Sequence, residues 1–475
     1  MRLNLGFHHN YKTSFVLVLA SALFYFAFAY HLMRTEYVKL IVLYFVLFFS
    51  FYRLVALFKN HTKILTYLAF GFRAIFILAI PNLSQDFYRF IWDGRMILEG
   101  FNPYVHTVLS FIEKGEFPVF QAQELFAGMG RLNASHYSNY PPVSQWCFVI
   151  AATLANKSIL GSVMVMRLLI IGADFGTLHF GKKLLDKLQR PNHAMFWYML
   201  NPFIIIELTG NLHFEGLMIF FLVWSMYLLH RGKWAWAAVI LALSISVKLI
   251  PLIFLPLFFQ WFIFSKNDND LSKPAHRDKT WNTTALNWTK LVSFYAIVIL
   301  TTLLLFAPFY SIHLITTYLD TVALWFSDFE FNASLYYIAR AIGYTFRGYN
   351  EIAVIGPFIP FVVLAFTLIL TFFRRNLTLV QLITSMLFVL SFYYFTSTTV
   401  HPWYIATLLI LSVFTSYKFP LVWSFVIILS YLAYLNSNND DKSENLWVIG
   451  LEYLIVYSVF IWEIFIKKPP DWKPK

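Results

Sequence analysis

An all-α polytopic membrane protein is predicted by three features of the chain. Its 475 residues are 59% hydrophobic and only 13% charged. The mean hydropathy of +0.64 is too high for a soluble domain of this size. Apolar stretches of about 20 residues, the length that crosses a hydrocarbon layer about 30 Å thick, recur between residues 14 and 466. They fall at 14–32, 38–58, 64–80, 160–181, 194–210, 214–229, 234–248, 250–264, 290–309, 352–373, 378–396, 402–416, 419–435 and 446–466. The expected architecture is a bundle of about 13–14 transmembrane helices, with amphipathic helices in the first long loop.

The third feature is charge placement. Lys and Arg residues form short clusters between the apolar runs: Arg53/Lys59/Lys63, Lys182/Lys183/Lys187/Arg190, Arg231/Lys233, Lys266/Lys273/Arg277/Lys279, Arg374/Arg375 and Lys467/Lys468. One threading puts all of them in the cytoplasm together with both termini. The formal charge of +12 therefore reads as topology anchoring, and scatter among apolar segments excludes a nucleic-acid-binding stripe. Arg2 and Lys12 precede the first span with no small-residue cleavage pattern after it, so a retained span is expected rather than a signal peptide. The lone Cys147 cannot close an internal disulfide and reads as a small buried hydrophobe. Segment 143–155 is apolar but short, and a crossing there would move the basic run 182–190 outside; it reads as a re-entrant or interfacial helix. The polar stretch 265–289 reads as a solvated linker, and the 53 Phe residues as lipid contact and packing.

This threading gathers on one outside face the loop 81–142, the turns 210–216, 248–251 and 401–403, and the segment 310–351. The chemistry-bearing residues fall there. Asp86, Arg89 and Asp93, at i, i+3 and i+7, share one helical face at about 100° per residue, with Arg95 pointing away. They form either an ordinary amphipathic helix with an internal ion pair or a pair of acids set where a span meets water, able to reach a lipid-borne substrate.

Further along, Glu99-Gly100-Phe101-Asn102-Pro103-Tyr104 and Tyr140-Pro141-Pro142 follow the two acids. Then come an N-P-x-x-I-x-E stretch from Asn201 to Glu207, a K-x-x-P from Lys248 to Pro251, and Pro402-Trp403-Tyr404. This ordered set resembles the GT-C superfamily of membrane glycosyltransferases, and within it the polyprenyl-phosphate-mannose-dependent mannosyltransferases. The resemblance covers most of the chain beyond Ile64, so residues 1–60 read as a two-span extension to a GT-C-like catalytic domain 61–475, with 81–142 as its extracytoplasmic catalytic loop. One departure is Asn211-Leu212-His213-Phe214-Glu215, where related bacterial proteins tend to carry N-G-H-x-D.

The resemblance implies an inverting transfer in which an acceptor hydroxyl attacks the anomeric carbon of the sugar and a polyprenyl phosphate departs. A hydroxyl needs a positioned base near neutral pH, and Asp86 is the candidate. Asp93 would orient the acceptor or the donor hydroxyls, and Arg89 would hold Asp86 ionised. Lys248, closing an apolar span before Pro251, either stabilises the leaving phosphate or merely snorkels to the interface. Arg340 and Arg347 are alternatives for the phosphate. Tyr140, Glu207, His213, Glu215 and His401 are candidate substrate contacts, against structural capping for the acidic turn and an interfacial aromatic belt for Trp403 and Tyr404. No cofactor is expected, with a divalent cation at Glu207, His213 and Glu215 as the alternative, since a lipid monophosphate lacks the diphosphate that usually recruits one. Arg167 and Asp174, seven apart inside a span, read as a structural pair.

The expected partners are a polyprenyl-phosphate-linked sugar, a glycolipid or glycan acceptor and the bilayer of the cell (inner) membrane, with no nucleic acid. Mannose rests on the resemblance, and glucose or arabinose stays open. A transporter or lipid-linked-sugar flippase is the competing class, and a structural or assembly protein the third. Transporters usually show repeated halves with matching broken helices, and no internal repeat is found here. The acids gather instead in one asymmetric loop of about 60 residues, longer than a connector needs.

Overall fold

Backbone polar groups in an apolar setting must pair within their own segment, so long apolar runs in this chain have one solution, the helix. The computed structural model describes residues 5–264, 288–438 and 444–467. Arg2, Lys468 and the linker 265–287 with its basic cluster lie outside the described residues. Among the described residues the secondary structure is helical, apart from an isolated bridge between Phe331 and Thr399.

Among the described residues, seven helices are long and apolar enough to cross a membrane: Lys12–His31, Tyr37–Leu57, Ile159–Lys187, Trp288–Phe309, Ile352–Phe373, Leu379–Thr396 and Leu446–Ile466. Each overlaps a span expected from hydropathy. The remaining apolar segments are shorter helices, among them Trp234–Ile245, Ile250–Ile263, Pro402–Val413 and Phe419–Tyr434. We label the first eight helices α1 (Leu5–His31), α2 (Tyr37–Leu57), α3 (Thr62–Ile75), α4 (Asp86–Leu98), α5 (Val108–Glu113), α6 (Ala122–Ala134), α7 (Pro142–Ala155) and α8 (Ile159–Lys187). The expected span 64–80 is the 14-residue α3, and segment 143–155 is the 14-residue α7 with Pro142 in its first turn.

The expected spans 194–210 and 214–229 are instead one bent pair, Pro202–Gly210 and Glu215–His230, meeting at 114°. Leu212 turns the corner with φ of 62°. The bend leaves helix-end carbonyls without partners. Arg167 supplies them: its Nε donates to Thr209 O at 2.9 Å and its Nη2 to Gly210 O at 2.9 Å. Its Nη1 reaches Ile77 O at 3.0 Å, tying the bend to the turn after α3. The expected Arg167–Asp174 pair is therefore corrected. Asp174 is bonded by Arg73 Nε at 2.6 Å, and Arg73 also donates to Met199 O at 2.6 Å. Both members of this pair are fully buried, so each needs the other.

The loop helix α4 lies on α7 because Gly94 has no side chain. A Cβ there would stand 2.3 Å from the carbonyl oxygen of Phe148. One turn away, the rings of Phe90 and Phe148 stack at 4.6 Å. Gly94→Ala is expected to cost about 1–3 kcal/mol through this overpacking. A lowered melting temperature in detergent is the readout, with Gly71→Ala as control because nothing lies within 4 Å of Gly71.

Candidate functional site

Local chemistry sets the walls of a cavity of about 370 Å³, within the range of small-ligand pockets. One wall is the N-terminal turn of α4, which carries Asp86. The start of α7 forms the second wall. Val143 N donates to Ser246 O at 2.8 Å and Ser144 Oγ to Val247 O at 2.9 Å, which brings Lys248 beside Tyr140. The E-G-x-x-P-Y stretch supports this wall from behind, with the Tyr104 hydroxyl donating to Tyr140 O at 2.7 Å. The turn with His401, Trp403 and Tyr404 closes the third side.

Within the cavity, Asp86 is half-buried and accepts a hydrogen bond from Tyr140. Burial pushes its carboxyl up to about 6, opposed mainly by the nearby Lys248 charge and raised further by Glu215. Lys248 Nζ stands 3.0 Å from Glu215 Oε1 and 4.8 Å from the centre of the Tyr140 ring. Trp403 is held between two imidazoles, His401 with ring centres 4.6 Å apart and His213 at 3.7 Å. Burial and the Lys248 charge drive His401 down to about 3, so it is neutral at physiological pH and a very weak base. Asp86 is the stronger proton acceptor at this site.

Of the residues singled out in the sequence, Asp86, Arg89, Tyr140, Lys248 and His401 line this one cavity. Several expected roles change. Arg89 does not serve Asp86; its Nε donates to Asp93 Oδ1 at 2.7 Å, the i,i+4 pair. Asp93 is fully buried and also accepts from Ser138 Oγ at 2.6 Å and Gln145 Nε2 at 3.2 Å, so it cannot face a substrate hydroxyl. Arg340 pairs with Glu330, whose side chain lines the cavity while Arg340 stands behind it. Arg347 is exposed, pairs with Glu351 at 3.0 Å and lies outside the cavity wall.

Glu207, His213 and Glu215 are buried and form the layer beneath the cavity. Glu207 accepts from the Tyr431 hydroxyl at 2.7 Å and lies 3.8 Å from His213 Nε2, whereas Glu215 is engaged by Lys248. Among the described residues no group of three or more His, Cys, Asp or Glu side chains could hold a metal ion. The sequence motifs missed Arg34, His136, Glu330 and Tyr434, which also line the cavity. None of them lies in a matched motif; for Arg34 the one available signal was a cation in a short turn between two spans.

The family model described as alpha-(1->6)-mannopyranosyltransferase, N-terminal domain, matches residues 11–264. The chain belongs to this family. A second model, mannosyltransferase (PIG-M), matches residues 209–466, so the GT-C resemblance extends over both halves. Among similar proteins, alpha-(1->6)-mannopyranosyltransferase A of Corynebacterium glutamicum is 26% identical over 193 residues, 38% of this chain and 35% of the relative. The protein of the same name from Mycobacterium tuberculosis is 22% identical over 186 residues, 39% of this chain and 34% of the relative. Alpha-(1->6)-mannopyranosyltransferase B of C. glutamicum is 25% identical over 160 residues, 33% and 25% of the two chains. The chain thus spans a minority of the length of each of these relatives. The alpha-(1->6)-mannopyranosyltransferase match begins at residue 11 and so takes in α1 and α2, the segment read from the sequence as an extension.

Proposed function

We propose that this chain is an inverting mannosyltransferase that moves mannose from a polyprenyl-phosphate carrier to a hydroxyl of a glycolipid or glycan. The observation that carries the reading is the half-buried Asp86 carboxylate, bonded by Tyr140 and facing the Lys248 cation across one cavity of the membrane bundle. The acceptor oxygen attacks the anomeric carbon as its proton passes to Asp86. The bond from that carbon to the phosphate oxygen breaks, and the phosphate keeps the electron pair. Lys248 and the imidazole and indole groups stacked at residues 401 and 403 stand where that charge grows and where the sugar ring would pack. Leu132, Leu324 and Phe329 on the cavity wall suit an isoprenoid tail.

In this reading the cavity opens on the extracytoplasmic face of the cell membrane and both termini are cytoplasmic, as the Lys and Arg clusters favour. The test is incubation of purified protein with radiolabelled polyprenyl-phosphate mannose, glucose and arabinose in the presence of membrane extract. Label is expected to move from the mannosyl carrier. Transfer from none of the carriers, or solute uptake by proteoliposomes instead, would overturn the proposal.

A further inference from the structure

The short connection between α1 and α2 is built with care for a segment outside every matched motif. Asn82, four residues before Asp86, donates through Nδ2 to Phe28 O at 2.7 Å and Leu32 O at 2.9 Å, capping the end of α1. Lys39 adds a bond to His31 O and an ion pair with Glu36 at 3.1 Å, while Met33 N donates to Glu36 Oε2 at 2.8 Å. The turn is thereby locked to the loop that carries the candidate base. Its one remaining charged side chain, Arg34, enters the cavity.

The other cations on that wall are already neutralised. Arg89 is paired with Asp93 and Lys248 with Glu215. The acid Glu330 is matched by Arg340. Among the described residues Arg34 has no ion pair and no hydrogen bond; its guanidinium lies 4.3 Å from the centre of the Tyr434 ring. Such stacking orients the planar fork while leaving its N–H donors free for a bidentate oxyanion. Half-buried at the cavity wall, Arg34 is near enough to Asp86 to help hold that carboxyl down but makes no ion pair with it, so its N–H donors stay open to an anion that arrives from outside.

We propose that Arg34 binds the phosphate of the polyprenyl-phosphate donor, so that the N-terminal helical pair completes the site. This rests on the mannosyltransferase reading for the identity of the anion. As the bond from the anomeric carbon breaks, the phosphate passes from one negative charge to two, and a guanidinium without a partner responds to that gain more than a lysine already paired.

The experiment measures binding of farnesyl phosphate and of farnesol to the purified chain in detergent, for wild type, Arg34→Gln and Arg34→Lys, with transfer from polyprenyl-phosphate mannose assayed in parallel. Arg34→Gln is expected to weaken farnesyl phosphate by about 10–100-fold, the scale of one charge-assisted contact. Farnesol binding and melting temperature are expected to stay unchanged, and Arg34→Lys to recover part of the loss. Equal affinity of Arg34→Gln and wild type for farnesyl phosphate would overturn the assignment, as would a parallel loss of farnesol binding with a lowered melting temperature. If the wild type transfers no sugar yet phosphate binding responds to Arg34, the activity reading fails while this assignment holds.

Discussion

Asp86→Asn is expected to slow mannosyl transfer by about 10²–10⁴-fold, the range that a positioned general base contributes. The change is nearly isosteric and keeps an oxygen that can accept the Tyr140 hydroxyl, so the site should stay assembled. What it removes is the ability to take a proton from the acceptor. The neighbouring groups replace it poorly, because His401 is driven down to about 3, burial and the Arg89 charge hold His136 below its usual range, Glu330 is paired with Arg340, and Glu215 beneath the cavity is tied to Lys248. The same assignment sets a pH profile. The base must be ionised, and burial pushes Asp86 up to about 6. Transfer should therefore be flat above that pH and fall about tenfold per unit below it, well above the acid limb of an ordinary aspartate. Steady-state rates of purified wild type and variant from pH 5 to 8 check both statements. A variant within twofold of wild type would remove Asp86 from the mechanism.

The second large effect is on stability. Asp93→Ala leaves the Arg89 guanidinium, whose side chain is 3% exposed, without its counter-charge. Removing one partner of a buried pair costs about 3–5 kcal/mol. Ser138 and Gln145 lose their shared acceptor as well. Arg89 also donates to Asn133 O at 3.0 Å and His136 O at 2.9 Å, so its displacement would loosen the segment that forms one side of the cavity. The expected result is poor yield and early thermal inactivation in detergent. Asp93→Asn, which keeps the shape and some of the bonds, should be milder. A variant with wild-type stability and no transfer would show that Asp93 acts on substrate after all.

These two aspartates show how far the residues could be read unaided. Both stand in α4 seven positions apart, in an order that matches a glycosyltransferase pattern. Periodicity places them on one face, yet a helix face is wide, and a rotation of a few tens of degrees separates cavity from core. The rotation is set by Gly94 against Phe148 and by Arg89 reaching down one turn to Asp93. The first comes from Phe148, far along the chain, the second from side-chain reach, and Ser138 holds Asp93 from 45 positions away, none of it visible in a local pattern. Lys248, Tyr140 and His401 do line the cavity, and each stands within three residues before a proline that opens a helix. Arg340 and Arg347 carried the right charge but already had acids within reach at Glu330 and Glu351.

What the amino-acid order determined by itself is the membrane bundle and the group of loops in which the chemistry gathers. Hydropathy is a sum over contiguous residues, and charge clusters act on the segment they flank, so both survive without knowledge of the partners. Tertiary structure alone decided which carboxylate stays accessible, which cation remains unpaired, and that a turn from the first two helices reaches the site. Those outcomes depend on long-range pairing, because a buried charge is tolerated only where another element brings its counter-charge or hydrogen bonds. Arg73 with Asp174, 101 residues apart, and Arg167 with the bent span are the clearest instances.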